Sequence, residues 1–288
     1  MNKPLSSLKI NFHTHTDYCD GADTLEENIK SAVEKGMQIL GFSSHSTWPN
    51  PFLDSIKKEN FDNYCTNIDF FKMKYSDSID IRLGFEGDYI SGICRPDFFA
   101  YRKFNPDFLI GSVHYLNNGE EDPEEMLAVD WSAEKLMEGL KVKYNDDVKK
   151  LIGHYFSTQR EMLSNCNFSI IGHPDLIRKF NDKIHFFDEN DDFYRKELIE
   201  TAKAISHAGV ICEINTGAIA RGYLKNPYPS IYFLSLLHDY NVPVILSSDA
   251  HHKEHIDFCF EQALMIAKKI GYTQTAFPDK GNIITVDI

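Results

Sequence analysis

The chain has 288 residues, a formal net charge of −13 at pH 7 and a hydrophobic fraction of 42%. It contains no basic run, which argues against a nucleic-acid backbone as partner. The first residues lack the apolar core of a signal peptide, and no apolar stretch approaches about 18 residues, so we expect a cytoplasmic protein with no membrane partner. There is no Cys-x-x-Cys pair, so free or buried thiols are expected at Cys19, Cys65, Cys94, Cys166, Cys212 and Cys259.

The first third of the chain alternates between predicted strands and helices. Residues 8–12 alternate apolar and polar side chains, as in a short strand that ends in His13-Thr14-His15. Thr24–Glu27 has the form of a capping box, which predicts a helix that continues to Gly36. The next predicted elements are a strand at 38–45, a loop at 46–57, a helix at 59–75 and a strand at 79–86.

The same alternation continues to the carboxyl terminus. The later predicted strands lie at 107–114, 167–173, 209–215, 242–251 and, as a short closing strand, 283–286. The later predicted helices lie at 98–104, 132–164, 189–207, 231–240 and 254–270. The long helical region 132–164 is expected to be interrupted near Gly153 or earlier at Asn145, and residues 117–131 are acidic and loop-like.

This alternation predicts an α/β fold of parallel strands joined by right-handed crossovers. A closed barrel and a doubly wound open sheet both satisfy it. Seven strand–helix units favour the barrel, and the length suits a single barrel. We therefore expect residues 1–288 to form one domain, a seven-stranded α/β barrel.

Potential metal ligands recur at the carboxyl ends of the predicted strands. Two histidines at i and i+2 of a strand point to the same face and can bind one metal ion. In an α/β barrel these strand ends converge on one face. Any one histidine alone is more simply explained by hydrogen bonding, but recurrence favours a metal centre made by His13, His15, His45, Glu86, His114, His173, Asp249 and His251. The other histidines fall in predicted helices or loops and receive no functional role.

The segments that carry these residues resemble the polymerase and histidinol phosphatase superfamily. The matching segments are HTHTDYCDG at 13–21, SSH at 43–45, GFEGDYI at 84–90, SVHYL at 112–116, GHPD at 172–175 and SSDAH at 247–251. Their order, the Glu-x-Asp-Tyr segment and the overall length most resemble the histidinol-phosphate phosphatase branch. The resemblance implies a distorted (β/α)7 barrel with three metal ions.

The resemblance also implies how the ligands divide among three divalent ions. The first ion would be held by His13, His15, Glu86 and Asp249. The second would share Glu86 and also bind His114 and His173. The third would bind Asp20, His45 and His251, with Asp20 standing where several relatives have histidine. Zinc, manganese and iron all suit these nitrogen and oxygen ligands.

The implied chemistry is hydrolysis of a small phosphate ester, L-histidinol phosphate, with Glu86, Asp249 and His251 as catalytic residues. Three divalent ions exceed the charge of three carboxylates and a bridging hydroxide by roughly +2, which suits a phosphate dianion. Arginine binds two phosphate oxygens at once. Arg221, just beyond the sixth strand, is the first candidate for that contact, and Arg178 is the second.

Several roles stay open from sequence alone. Asp175 or His251 could protonate the leaving oxygen. Glu213 and Asn215 could bind the ammonium group of the substrate or orient a metal ligand. Other functions consistent with the sequence are a phosphoesterase for nucleotides, a metal-dependent amidohydrolase and a noncatalytic metal-binding scaffold. The amidohydrolase is disfavoured because such barrels ordinarily have eight strands and often a bridging lysine, which no predicted strand end supplies.

Overall fold

The computed structural model describes residues 8–52, 54–120 and 122–288. The strands are β1 (Ile10–Asn11), β2 (Ile39–Phe42), β3 (His45–Ser46), β4 (Asp80–Asp88), β5 (Phe108–Ser112), β6 (Tyr115–Leu116), β7 (Leu127–Ala128), β8 (Ile170–Ile171), β9 (Ile211–Asn215), β10 (Val244–Ser247), β11 (Gln274–Asp279) and β12 (Asn282–Asp287). The helices are α1 (Leu25–Glu34), α2 (Phe61–Lys74), α3 (Phe98–Tyr101), α4 (Ala133–Tyr144), α5 (Val148–Asn165), α6 (Asn181–Ile184), α7 (Asp192–Ala208), α8 (Gly217–Ala220), α9 (Ile231–Asp239) and α10 (Phe260–Ile270).

One parallel sheet organises the fold. Its strands follow the order β1-β2-β4-β5-β8-β9-β10, and β3 also pairs with β4. The first and last strands meet at their carboxyl ends, where the His15 N–H donates to the Ala250 carbonyl at 2.9 Å and the Ala250 N–H donates to the His13 carbonyl at 3.3 Å. These bonds close the sheet, so the predicted seven-stranded barrel is confirmed over the doubly wound alternative.

Two of the helix ends predicted from sequence are present in the structure. Thr24 and Glu27 form the predicted capping box at the start of α1. The long helical region divides into α4 and α5 at Asn145, which adopts a left-handed conformation with φ of 53°. Gly153, the other predicted interruption, lies inside α5.

Other boundaries differ from the prediction. The last helix begins at Phe260 and not at 254, because Cys259 adopts a φ of 58° and residues 253–255 form a separate 3-10 turn. The acidic stretch 117–131 contains β7, which pairs with β6. The predicted closing strand lies within β12, which pairs with β11 and not with the barrel. Within the described residues, no helix is long and apolar enough to cross a membrane.

The interior of the barrel is apolar at the amino ends of the strands. The barrel side chains there come from the first or second residue of their strands: Ile10, Ile39, Phe108, Ile170, Ile211 and Ile245. They pack against Ala276, Phe277 and Val286 of the β11–β12 hairpin. A larger apolar layer separates the sheet from the surrounding helices. The opposite end of the barrel, formed by the carboxyl ends of the strands, carries the polar residues described next.

Candidate metal centre

The residues expected as metal ligands come together at the carboxyl end of the barrel. His13 and His15 follow β1, His45 lies in β3, and Glu86 lies near the end of β4. His45 and Glu86 are direct partners in the parallel pairing of β3 with β4. His114, His173, Asp249 and His251 follow β5, β8 and β10. The fold therefore brings together residues that are up to 238 positions apart in the sequence.

Glu86 is at the centre of this cluster. It is fully buried, and its Oε1 accepts a hydrogen bond from the Ser112 hydroxyl at 2.7 Å. Imidazole nitrogens surround both of its carboxylate oxygens, at 3.1 Å for His13, 3.4 Å for His15, 3.0 Å for His45, 3.4 Å for His114 and 3.0 Å for His173. A carboxylate with imidazoles on both oxygens has the arrangement of a ligand shared between cations.

Asp249 and Asp20 extend the cluster on the side of His15. The Oδ1 atom of Asp249 lies 3.2 Å from His15 Nε2 and 3.7 Å from His13 Nε2. The Oδ2 atom of Asp20 lies 3.0 Å from His251 Nε2, and its Oδ1 lies 3.8 Å from His45 Nε2. Asp249 itself has a φ of 48°, a left-handed conformation that is uncommon for a residue other than glycine.

Four groups within the cluster have donor atoms close enough to share one ion, and a fifth group, Asp23–His252–Glu254, contains none of the predicted ligands. The four groups are His13–Glu86–His173, His13–His15–Asp249, His45–Glu86–His114 and His15–Asp20–His45–His251. These four groups contain every predicted ligand. They divide the ligands differently from the three predicted sets. His173 is grouped with His13 and not with His114, His45 joins Glu86 and His114, and His15 joins Asp20, His45 and His251.

Buried polar atoms that lack a hydrogen-bond partner provide an independent test of whether these residues suit a cation. Among the described residues, His13 Nε2, His15 Nε2 and Glu86 Oε2 are buried without a hydrogen-bond partner. The two nitrogens lie 3.1 Å and 3.4 Å from that oxygen. A buried polar atom without a partner is costly, and one divalent cation among these three atoms would satisfy all of them. The donor set therefore fits a metal ion.

The charges in the cluster keep its carboxylates ionised. Burial alone would raise the pKa of Glu86, but the adjacent imidazoles of His13, His45 and His114 hold that pKa well below its usual range. Burial acts in the same direction on Asp249, where Arg221 and His13 lower the pKa well below its usual range. Both side chains are therefore available as anionic ligands at neutral pH.

The histidines respond to the same environment in two ways. Burial opposes protonation of His114, but Asp88 and Glu86 raise its pKa to about 9. Burial likewise opposes protonation of His13 and His45, and neighbouring carboxylates raise both pKa values well above the usual range. His15 is the exception, because burial and the nearby His251 and His45 lower its pKa to about 3. Carboxylates thus favour the protonated form of most of these imidazoles, whereas His15 is held neutral.

A second layer of carboxylates lies behind the candidate ligands. Asp88 Oδ1 lies 2.7 Å from His114 Nδ1, and Glu213 Oε2 lies 2.8 Å from His13 Nδ1. Sequence analysis assigned no role to Asp88, although its i+2 spacing from Glu86 on a strand places both side chains on the same face. Glu213 was considered as a group that orients a ligand or binds ammonium, and its contact with His13 fits the first of these roles.

The two candidate phosphate-binding arginines lie in different environments. Arg221 reaches the cluster, where its Nη2 donates to Asp249 Oδ2 at 2.9 Å and its Nη1 lies 2.9 Å from His251 Nδ1. The guanidinium of Arg178 is buried and lies 3.3 Å from Glu189 and 3.8 Å from Asp175. The structure therefore brings Arg221 to the cluster, whereas the ion-pair partners of Arg178 are outside it.

Asp175, the other candidate proton donor, is buried, and one of its carboxylate oxygens accepts a backbone hydrogen bond. The donor is the Ser230 backbone N–H, which lies 2.7 Å from Oδ2. Burial raises its pKa, with Arg178 opposing the shift. Of the two groups considered for protonating the leaving oxygen, His251 is the one whose side chain contacts the cluster.

A cavity of about 280 Å³ opens beside the cluster. Asp20, His45, Asp88 and His114 form its inner side. The outer walls come from the loop after β3 and from the segment after β7, with Phe52, Asp54, Tyr115, Asp130, Trp131 and Lys179 among the lining residues. The cavity thus combines the candidate metal ligands with aromatic side chains and further carboxylates.

Comparison with known proteins agrees with this geometry. The PHP domain model matches residues 11–217. A protein of Schizosaccharomyces pombe described as a probable histidinol-phosphatase is 27% identical over 95% of this chain and 90% of its own length. The histidinol-phosphatase of Bacillus subtilis is 23% identical over 88% of this chain and 97% of its own length.

A solved structure is also similar over most of the chain. The histidinol phosphate phosphatase of Lactococcus lactis, in complex with zinc, L-histidinol and phosphate, superimposes with a TM-score of 0.74 at 20% identity. The match covers 96% of this chain and 100% of the other. This similarity shows a shared fold. Together with the family match across most of the barrel, it establishes that the chain belongs to the PHP domain family.

Proposed function

We propose that this protein hydrolyses L-histidinol phosphate to L-histidinol and phosphate, a step of histidine biosynthesis, in a metal-dependent reaction. The observation that carries the proposal is Glu86, a buried carboxylate contacted by five imidazoles at the carboxyl end of the barrel. Relatives named as histidinol-phosphatases, similar over nearly the whole chain, support the choice of substrate.

Three divalent cations are proposed for the centre, chosen from zinc, manganese and iron. The proposed ligand sets are His13, His15, Glu86 and Asp249; Glu86, His114 and His173; and Asp20, His45 and His251. The group His13–His15–Asp249 supports the first set and the group His15–Asp20–His45–His251 supports the third, whereas His114 and His173 fall in separate groups that share Glu86. When bound, such ions supply positive charge for the phosphate and activate water for attack on phosphorus. The Lactococcus relative of the same fold contains zinc, which supports a metal of this class.

The residues of the chain then have separate tasks. Glu86 and Asp249 provide the anionic ligands that fix the positions of the cations. His251 lies beside Asp249 and Asp20, with its Nδ1 3.5 Å from Asp249 Oδ1 and its Nε2 3.0 Å from Asp20 Oδ2. We keep His251 as the candidate for donating a proton to the leaving alcohol oxygen, because its side chain lies at the cluster; this role requires that its imidazole is protonated and not coordinating the third ion.

Arg221 is the first candidate for binding the phosphate group. Its guanidinium lies at the cluster and is anchored by Asp249, so its planar donor group is already positioned there. Arg178 is the second candidate. Its ion pairs with Asp175 and Glu189 favour a structural role for it.

The cavity supports a leaving group with positive charge. Asp54 is exposed at its wall, and Asp130 pairs with Lys179 at 3.1 Å. Burial opposes ionisation of Asp130, but Lys179 and His114 lower its pKa to about 2. These carboxylates would attract the ammonium group of histidinol and repel the additional phosphates of a nucleoside polyphosphate.

We further propose that the chain acts as one domain and works in the cytoplasm. The apolar contacts between the β11–β12 hairpin and the strand starts support one domain, because they join residues 274–287 to the barrel interior. The six free cysteines suit a reducing compartment.

A substrate panel tests the proposed function. The purified protein is stripped of metal with a chelator, reloaded separately with zinc, manganese or iron(II), and assayed for phosphate release. We expect activity only after reloading. We also expect kcat/KM for L-histidinol phosphate to be at least about 100-fold above that for nucleoside monophosphates, since the site would bind both the phosphate and the ammonium group of the substrate. Preference for nucleotides would support the alternative phosphoesterase, and no release with any ester would contradict the proposal.

A further inference from the structure

We infer that Glu213 is a positioning residue that determines which nitrogen of His13 faces the metal centre and how far His13 lies from His173. Glu213 lies in β9 and is fully buried. Its Oε2 lies 2.8 Å from His13 Nδ1. Its Oε1 accepts hydrogen bonds from the His173 backbone N–H at 2.6 Å and from Asn215 Nδ2 at 2.7 Å.

Glu213 stands behind His13 and is not a member of the ligand groups. Among the described residues, no group able to share one ion includes Glu213. The imidazole of His13 presents Nδ1 to Glu213 and Nε2 to Glu86 and Asp249, at 3.1 Å and 3.7 Å. Both oxygens of Glu213 are already occupied by donors, so its interactions serve the ligands and not an ion.

The contact with His13 selects a tautomer. An ionised carboxylate can only accept hydrogen bonds, so His13 must carry a proton on Nδ1 to bond with Glu213. The neutral imidazole then has its lone pair on Nε2, the buried atom that lacks a hydrogen-bond partner and faces Glu86. A metal-binding histidine generally has its other nitrogen bonded to such a group, which orients the ring and increases its basicity.

The contacts of Glu213 with His13 and His173 couple β1 to β8, two strands that do not neighbour each other in the sheet. β9 neighbours β8 and β10, whereas His13 follows β1. One carboxylate therefore connects the ring of His13 to the backbone of His173, and the two ring centroids lie 5.9 Å apart. Both rings contact Glu86 from opposite oxygens. Glu213 thereby sets the separation between ligands of the first and second proposed ions.

The variant Glu213→Gln distinguishes the hydrogen bonding of the Glu213 carboxylate from the packing of its side chain. If the amide oxygen replaces Oε1, the amide NH₂ faces His13 Nδ1 and favours the tautomer whose Nε2 is protonated, which cannot bind metal. If the oxygen replaces Oε2, the NH₂ faces two other donors, the His173 N–H and the Asn215 amide. Either orientation keeps the shape of the side chain and removes its function, so we expect metal affinity to fall about 10- to 100-fold.

The control is Glu197→Gln, the same chemical change at a site remote from the cluster. Glu197 lies in α7 and forms an ion pair with Arg160 of α5 at 2.8 Å. Wild type and both variants are dialysed against zinc buffered by a chelator, and bound metal is measured by elemental analysis. Thermal unfolding of the metal-free proteins establishes that they are folded. Zinc affinity of Glu213→Gln equal to that of wild type and Glu197→Gln would overturn the inference.

A spectroscopic measurement on the wild type does not depend on whether a variant folds. Nitrogen-15 spectra of the zinc-loaded protein, labelled at histidine, report the protonated nitrogen of each ring. The His13 signals are assigned by through-bond correlation with the His13 backbone, so the measurement needs no variant. We expect a proton on Nδ1, and a proton on Nε2 would overturn the inference.

This inference rests on the proposed metal centre but not on the identity of the substrate. If wild type binds zinc tightly and Glu213→Gln does not, the inference holds even if L-histidinol phosphate is not hydrolysed. If wild type and Glu213→Gln bind zinc equally and both hydrolyse L-histidinol phosphate, the proposed function holds and the inference fails. Zinc binding and phosphate release together therefore distinguish the two failures.

Discussion

The two ends of the barrel use the same strands for opposite purposes. At the amino ends, side chains such as Ile10, Phe108 and Ile170 pack against one another and against the terminal hairpin. At the carboxyl ends, the buried residues include His13, Glu86 and Asp249, whose partners are other charged or polar groups. The apolar end gains stability from removing surface from water, whereas the polar end concentrates groups that are costly to bury. This difference indicates that stability and chemistry are separated along the strands.

Replacing Glu86 tests the polar end and should have the largest effect on the rate of phosphate release. Glu86→Gln removes the negative charge shared by five imidazoles, so kcat for phosphate release should fall by at least about 1,000-fold, equivalent to about 4 kcal/mol. Phosphate release and bound metal are measured together, with Glu197→Gln as the matched control. Full activity in Glu86→Gln would show that the reaction does not depend on the carboxylate of Glu86 and would contradict the proposed metal centre.

Replacing Phe108 tests the apolar end. Its ring is fully buried, lies 4.9 Å from the Phe12 ring in an edge-to-face arrangement and fills the space above Gly41 and Gly84. Phe108→Ala should lower the free energy of unfolding by about 3–5 kcal/mol, because it removes a large ring and leaves a cavity. Denaturant unfolding measures this loss.

The control for Phe108 is Phe70→Ala, in which the deleted ring is 51% exposed. The folded fraction of Phe108→Ala should retain its metal affinity, because the ring lies at the end of β5 opposite to His114. Equal stability of the two variants, or loss of metal binding by folded Phe108→Ala, would contradict the separation between the two ends.

The sequence predicted which residues come together at the polar end because the signals are local to each strand. A histidine or carboxylate at a strand end can be recognised without knowing its neighbours, and the topology of a barrel brings such ends together. The same local reasoning located the capping box of α1. In contrast, the partners of Arg178 come from the segments around Asp175 and Glu189, and their meeting depends on how a loop folds.

The features that the sequence did not predict depend on the backbone conformation of single residues or on contacts between residues distant in the sequence. The left-handed conformation of Cys259, which delays the start of α10, carries no residue signal because cysteine has no preference for it. The β11 strand contains Pro278 and was not expected as a strand, although it is stabilised by pairing with β12. Asp88 was overlooked because its role is defined by a contact with His114.

Arg221 and Arg178 test the same separation between chemistry and stability within the segments that follow the strands. Arg221→Ala should lower kcat/KM for L-histidinol phosphate about 100-fold, because it removes the candidate phosphate-binding group. Stability should change little, because Asp249 keeps His13 and His15 as partners. Arg178→Ala should instead destabilise the fold by about 3–5 kcal/mol, because it leaves Asp175 buried without its cation. Steady-state kinetics and unfolding are measured on both, and a raised KM in a stable Arg178→Ala protein would make Arg178 the phosphate-binding residue.

The smallest effect is expected at Gly217, the first residue of α8. A β-carbon there would lie 2.8 Å from Asp249 Oδ2 and 2.9 Å from Arg221 Nη2, so Gly217→Ala should push apart the ion pair between these two side chains. We expect kcat/KM to fall about tenfold, or about 1.4 kcal/mol, because both groups shift while remaining present.

The matched control for Gly217 is Gly153→Ala in the interior of α5, where the nearest atom to a new β-carbon is 3.4 Å away on Phe193. This change should leave activity unaltered and stabilise the fold by about 0.5–1 kcal/mol, since alanine favours the helix. Wild-type kinetics in Gly217→Ala would indicate that Asp249 and Arg221 tolerate displacement. The close packing of this ion pair would then not be required for the reaction, and positioning at the polar end would depend on the layer formed by Glu213 and Asp88.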